Sequence, residues 1–446
     1  MRRPTPRRAA PLIAMAVLAL LLGAVVAAVA QVEVKSSAGA VTRSRLPNGL
    51  TVLVRENPAA PVVGISVMVQ MGTRWETREN AGISNLLQLM VVRGTTSLNG
   101  IQIVETADRL GGSIEAIGAA DFSEISGTAL SRYWKEILGL VADVAINPSI
   151  PEPTFQAVRD FLVRQIRNRG EKPYDVALDT LHARIFTPHP YAWDAIGLKE
   201  SLERIDRPAL VAHYLRHYVP GAMVVAVSGK VKAAEVLAEA ERLFGALRTG
   251  PVPVPTSARS PAPAATRDVL VVPGAQSQIL MGALAPRMTD PDHAAVKVMG
   301  TVLGGGMAGR LFSELRDKQG LAYTTATQYP SRVDPGAFVA QLGTAPENTA
   351  KAAAALAQEL ERIQREPVTV EELQVAKAYV LGNLAMDRRT NARQVWYLAS
   401  YEVAGVGYEF LDRYIAQVRQ VTATDVQRVA REYLSPIRTV IVQPSN

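Results

Sequence analysis

"AGISNLLQLMVVRGT", Ala81 to Thr95, sets apolar side chains at Ile83, Leu86, Leu87, Met90 and Val91. Positions three or four apart share a face of a helix, so this spacing predicts a helix with a core-facing stripe. Asn85, Gln88 and Leu89 stand at i, i+3 and i+4 and gather on one side of it. The stretch contains no histidine and no acidic residue. Taken alone it is a plain buried helix.

Working outward, two strand-like runs precede it, "LTVLVREN" (50–57) and "VVGISVMVQMG" (62–72). A similar pair, "DVLVVPG" (268–274) and "SQILMGALAP" (277–286), opens the second half of the chain. Each pair continues into a helix, a Gly-containing turn, further strands and long helices. The closing units also match. "RPALVAHYLRHYVPGAMVVAV" (Arg207–Val227) and "TATDVQRVAREYLSPIRTVIV" (Thr422–Val442) each read as helix, Pro-containing turn and Val-rich strand. Between the halves, "RTGPVPVPTSARSPAPAATRD" (248–268) lacks apolar periodicity and reads as a semi-stiff linker. These patterns predict an α+β fold made of two homologous α/β domains, 31–247 and 269–446. Each is expected to be a mixed, largely antiparallel sheet with helices packed on one face.

Residues 1–30 read as a targeting segment. Arg2, Arg3, Arg7 and Arg8 precede an apolar run from Leu12 to Val29, which ends in the small-x-small pattern Ala28-Val29-Ala30. We read a cleaved signal peptide and an exported, periplasmic protein. The alternative is an inner-membrane anchor over residues 9–30, because the apolar run approaches bilayer length. The four arginines also account for most of the formal charge of +7; the remaining 44 basic residues against 41 acidic ones leave an excess of 3. No basic stripe is present, which argues against nucleic acid as a partner. The chain has no cysteine, which excludes disulfides, thiol catalysis and Cys-bound metal.

The flanks of the opening helix, "GTRWETRENAG" (72–82) and "MVVRGTTSLNG" (90–100), carry a resemblance. With "LPNGLTVLV" (46–54) and "HPYAWDAIG" (189–197), they resemble the pitrilysin/insulinase metallopeptidases, the family of the mitochondrial processing peptidase. In that family an inverted H-x-x-E-H zinc helix sits between such flanks. Carried over by position, the first histidine falls on Asn85, the catalytic glutamate on Gln88 and the second histidine on Leu89. The third ligand, a glutamate, falls on or next to Gln165 in "FLVRQIRNRG" (161–170). Neutral amides are poor zinc ligands and leucine is none. Gln88 cannot take a proton from a metal-bound water. No metal and no cofactor is therefore expected in this chain. His213 and His217, one turn apart in "HYLRH", offer two nitrogens without a third ligand.

The second half carries "GGGMAGRLFSELRDKQGLAYTTAT" (304–327). Arg310, Glu314 and Asp317/Lys318 alternate with Leu311, Phe312 and Leu315, predicting an amphipathic helix stopped at Gly320 and followed by a strand over 321–328. From the residues alone, Arg316 complements the helix end and Tyr323 is a half-buried strand aromatic. The resemblance implies more. An Arg and a Tyr at this spacing reach across a closed chamber to the zinc site, where both donate hydrogen bonds to a peptide carbonyl and its oxyanion. It further implies that the chain forms half of a clamshell as the non-catalytic subunit of a two-subunit peptidase. The zinc belongs to a homologous partner carrying H-x-x-E-H, and the substrate is an unfolded peptide. Such a subunit is expected to show no zinc peptidase activity alone. Gly304, Gly305 and Gly306 are read as a turn beside the substrate channel, and "GGSIEAIG" (111–118), with Ile114, Glu115 and Ala116, as a sheet edge for an added peptide strand. The alternative is a catalytically inactive peptide-binding, chaperone-like or structural core subunit.

Overall fold

The computed structural model describes residues 41–256 and 264–445. The signal or anchor segment and residues 257–263 of the Pro/Ala-rich stretch lie outside them. Among the described residues no helix is long and apolar enough to cross a membrane.

The Val-rich runs become two sheets. In the first, β1 (Val41–Arg45), β2 (Thr51–Glu56), β3 (Val62–Val69), β4 (Ser113–Gly118), β5 (Ser123–Leu130) and β6 (Met223–Gly229) lie in the order β1-β2-β6-β3-β5-β4. In the second, β7 (Thr266–Val272), β8 (Ser277–Ala285), β9 (Thr324–Gln328), β10 (Gly336–Thr344) and β11 (Arg438–Pro444) lie in the order β7-β11-β8-β10-β9. With β1 set aside the two orders are the same. The pairs β2–β6 and β7–β11 are parallel, and the remaining ladders antiparallel. The matching closing units supply the matching strands: helix Arg207–His217 leads to β6 and helix Ala423–Tyr433 to β11. The helices are started alike, by an Asp206 side chain accepting from Ala209 N and a Thr422 side chain accepting from Asp425 N. The two homologous α/β domains expected from the sequence are present.

Strand alternation sends side chains to both faces of each sheet. Val63, Ile65, Val67 and Val69 of β3 join Leu86, Leu87, Met90 and Val91 of helix Ile83–Val91 in the first core. Residues of the opposite face, Leu53, Met68, Val224 and Ala226, are covered by Val395, Leu398, Ala399 and Val403. Those four belong to helix Asn391–Val403 of the second half. The reciprocal exchange occurs on the second sheet. There Ala177, Leu181, Ile185 and Phe186 of helix Pro173–Phe186 cover Leu280, Ala337, Val339, Val440 and Val442. Each half thus completes the other's second face. With a fully buried Val, Leu, Ile or Phe contributing about 1.5–3 kcal/mol, this exchange ties the halves together firmly.

The Pro-rich stretch runs along the first half. Trp75 Nε1–H donates to Pro253 O at 3.1 Å and Thr256 N–H to Arg74 O at 2.8 Å. β7 starts at Thr266, inside the range read as linker.

Candidate functional site

Ile83, Leu86, Leu87, Met90 and Val91 are all buried, as their spacing predicts. The N-terminus of their helix is fixed by a side chain six residues upstream. The buried Glu76 carboxylate accepts from Gly82 N at 2.9 Å, Ser84 N at 3.0 Å and Trp193 Nε1 at 3.4 Å. It satisfies N–H groups that the helix itself cannot. Burial pushes the Glu76 pKa up, against the pull of those donors. Trp193 comes from "HPYAWDAIG", so two of the family-like stretches meet at one carboxylate.

The four positions that a zinc site would use do not act as a group. Gln88 is fully buried, and its amide donates to the Tyr218 hydroxyl at 2.8 Å. Asn85 and Leu89 are half-buried, and Gln165 is exposed on helix Glu152–Gly170. Gln88 is therefore buried more deeply than Asn85 and Leu89, its neighbours on the helix. The reason is that helices Arg207–His217 and Glu152–Gly170 both pack on this helix, and Tyr218 follows directly on the former. A zinc ion does not fit here: Leu89 offers no lone pair and the Gln88 amide is committed to a phenol. Among the described residues no three His, Cys, Asp or Glu side chains stand where they could share a metal ion.

His213 and His217 lie beneath the helix with ring centroids 4.4 Å apart. His213 Nε2 is 3.1 Å from Ser84 Oγ. His217 Nδ1 is 2.8 Å from the Gln70 carbonyl, so that nitrogen carries the proton. Burial pushes the His217 pKa down to about 4 and that of His213 well below its ordinary value. Both are neutral packing groups in the first core. At the matching place in the second half, Arg428 pairs with Glu432 at 3.4 Å and with Asp292 at 2.6 Å.

β4 is the outer strand of its sheet, hydrogen-bonded to β5 on one side. Ile114 and Ala116 turn inward and are half-buried, while Glu115 is exposed. The end of β4 touches helix Ile83–Val91 closely: a Cβ on Gly118 would lie 2.8 Å from Asn85 Cα. Asn85, onto which the first zinc-motif position maps, and the outer strand β4 are therefore neighbours. β9 holds the equivalent outer place in the second sheet.

Leu311–Lys318 is a π-helix rather than the α-helix that its amphipathic pattern predicts. Gly320 closes it with φ +63°, and Leu321 N–H returns to Leu315 O at 2.8 Å. Arg310, expected on the polar side, is buried and forks onto Glu372 at 2.6 and 3.0 Å. Arg316 is exposed, with its guanidinium 4.8 Å from the Phe312 ring centroid. Tyr323 precedes β9, held by its N–H to Gly343 O at 2.9 Å, and is 56% exposed, not half-buried within the strand. Among the described residues neither Arg316 nor the Tyr323 hydroxyl has an ion-pair or hydrogen-bond partner. The glycine run ahead of them has a packing role. A Cβ on Gly304 would lie 2.6 Å from Thr327 N, one on Gly305 2.4 Å from Thr301 O, and Gly306 has φ +73°. Gly304 thus lets helix His293–Gly304 close on β9.

The family-like stretches also hold charges to which sequence reasoning gave no role. Arg74 pairs with Asp334 at 2.7 Å and with Asp121 at 3.6 Å; His189 Nε2 is 3.4 Å from Asp334. Tyr191 donates its hydroxyl proton to Asp121. The gathering of Arg74, His189 and Tyr191 in two motifs far apart in sequence was the signal available.

Two family models cover most of the chain: insulinase (peptidase family M16) over residues 51–196 and peptidase M16 inactive domain over residues 204–380. The chain belongs to peptidase family M16. An uncharacterized zinc protease of Mycobacterium tuberculosis is 29% identical over 403 residues, covering 90% of this chain and 92% of that protein. One from Bacillus subtilis is 22% identical over 406 residues, covering 91% and 98%. Among solved structures, a peptidase M16 inactive domain from Pseudomonas fluorescens matches with TM-score 0.85 at 23% identity, over 91% of this chain and 98% of that one. A Helicobacter pylori protease matches with TM-score 0.83 at 22% identity, over 91% and 99%. At these identities the solved structures establish the shared M16 fold. Within that fold, this M16 chain carries Asn, Gln and Leu where the zinc motif would stand.

Proposed function

We propose that this chain is the non-catalytic subunit of a two-subunit zinc metallopeptidase and works in the bacterial periplasm. A homologous partner supplies the zinc and general base from its own H-x-x-E-H helix. This chain supplies Arg316 and Tyr323, and its β4 edge around Ile114, Glu115 and Ala116 lies along the shared chamber to hold an unfolded peptide. The observation that carries the reading is a contrast within one chain. Gln88 is buried and committed to Tyr218, while Arg316 and Tyr323 stand exposed with unused donors. Donors of that kind steady a carbonyl oxygen as it gains charge.

The purified chain is expected to hold no stoichiometric zinc by elemental analysis and to cleave no unfolded peptide. Mixed with an M16 homologue that has an intact H-x-x-E-H helix, it is expected to form a complex and raise cleavage above that of the homologue alone. A chelator-sensitive activity in the pure chain would end the proposal. Complex formation without any effect on cleavage would leave a structural or peptide-holding subunit instead.

A further inference from the structure

A cavity of about 630 Å³ lies between the halves and falls within the range of roughly 300–1,000 Å³ usual for small-ligand sites. Ala119, Asp121 and Phe122 of the β4–β5 turn form one wall. The rest comes from the second half and includes the rings of Tyr379, Trp396, Tyr397, Tyr401, Phe410 and Tyr414.

Most charges in this lining are already matched. Arg393 pairs with Asp387 at 2.6 Å, and Tyr397 donates to the same carboxylate at 2.7 Å. Arg332 stands 3.7 Å from Asp121. His293 is buried with Nδ1 2.9 Å from the Tyr329 hydroxyl, and burial pushes its pKa down to about 3, so it is neutral. Lys297 is the exception. Its Nζ donates to the Tyr329 carbonyl and lies 5.1 Å from the Tyr329 ring centroid, with no carboxylate partner among the described residues. Burial pushes its pKa down to about 8, which leaves it charged at neutral pH. Lys297 is partly buried, and an ammonium drawn partly out of water without a counter-charge carries a cost that an anion in the cavity would offset. A cationic ligand has no such place, because Asp121 and Asp387 are both engaged.

We infer that this cavity binds a small organic anion, a carboxylate or sulfonate on a flat apolar body, with its charge at the Lys297 ammonium and its body among the rings. Since both halves contribute walls, the bound anion bridges them. The inference is independent of any zinc-bearing partner.

The test is calorimetric titration of the full chain with 2-naphthoate and with its neutral counterpart 2-naphthamide, alongside Trp396 fluorescence. One site is expected, with naphthoate bound at least about tenfold more tightly than the amide, as a charge-assisted hydrogen bond gives. Lys297→Met should abolish that preference and Lys297→Arg should keep it. Tyr379, 45% exposed at the cavity wall, provides a second variant that spares the core: Tyr379→Ala should weaken both ligands and retain the preference. Equal binding of the two ligands, no binding of either, or a preference unchanged in Lys297→Met would overturn the inference.

Discussion

Arg74 Nε donates to Asp334 Oδ2 at 2.7 Å and its Nη2 to Oδ1 at 3.3 Å, a two-pronged bond from the first half of the chain to the second. Burial works to raise the Asp334 pKa, but His189 and Arg74 outweigh it and hold the carboxyl below its ordinary value. Behind this pair lies Asp121, 6% exposed, reached by Arg74, Arg332 and Tyr191. Two acids and two guanidiniums are thus interleaved where the halves meet, and the stretch "GTRWETRENAG" serves the joint as well as the helix beside it.

Removing Arg74 takes a guanidinium from two carboxylates, leaving Asp121 with Arg332 and Tyr191 and Asp334 with His189. Arg74→Ala is expected to lower the unfolding free energy by about 3 kcal/mol, in the range for breaking a buried ion pair. Asp334→Ala should cost less, since that side chain is 31% exposed. A double-mutant cycle in urea should return a coupling of about 1–2 kcal/mol. Additive losses would show that the pair does not act as a unit.

Gln88 is expected to behave as a structural residue. Gln88→Leu deprives the Tyr218 hydroxyl of its partner, a loss of about 1–3 kcal/mol. The Gln88 carbonyl oxygen is itself buried without a donor, so its removal offsets part of this and places the net effect near the low end. Adding Tyr218→Phe should recover stability, and neither change should alter cleavage by a reconstituted pair. A large fall in turnover with unchanged stability would assign Gln88 a chemical role.

Much of the fold was legible because its signals are local. The stripe from Ile83 to Val91 and the repeated helix–turn–strand units are periodicities within some twenty residues, which tertiary packing reinforces. The exchange of helices was not legible. Ala177, Leu181 and Ile185 announce an apolar stripe, but nothing in a stripe states which sheet it will cover. The site divides in the same way. Substitution at Asn85, Gln88 and Leu89 is plain in the letters, whereas the burial of Gln88 depends on Tyr218, 130 residues away. Arg310 looked like a solvent-facing charge because its partner, Glu372, is 62 residues away.

Glu124 in β5 is 5% exposed and accepts from Ser66 Oγ at 2.6 Å; burial pushes its pKa from 4.5 up to about 6. Between those values the folded chain keeps a proton that the unfolded chain releases. Stability from this group therefore falls as pH rises through the window and is flat above it. The shift corresponds to about 2 kcal/mol at most. Glu124→Gln cannot titrate, so its stability relative to the native chain should improve by up to that amount between pH 4.5 and 6. Unfolding measured from pH 4.5 to 7.5 checks this; a constant difference would mean that Glu124 does not hold the proton.

Arg316 and Tyr323 present the reverse situation, donors with little to do inside this chain. Both are exposed, so Arg316→Ala and Tyr323→Phe should leave stability within about 0.5 kcal/mol of the native value. Arg316→Ala loses only its stacking on Phe312, and Tyr323→Phe keeps the ring and the backbone bond to Gly343. In a reconstituted pair each should lower kcat by about 10- to 100-fold, somewhat less than the loss of an oxyanion donor in a single-chain hydrolase. KM should move less than kcat, because a developing oxyanion gains more from these donors than a ground-state carbonyl does. Arg316→Lys distinguishes charge from geometry: it keeps the cation but loses the planar fork, and should restore only part of the activity. Wild-type turnover in both Arg316→Ala and Tyr323→Phe, with complex formation intact, would remove this chain from the chemistry and leave it a scaffold.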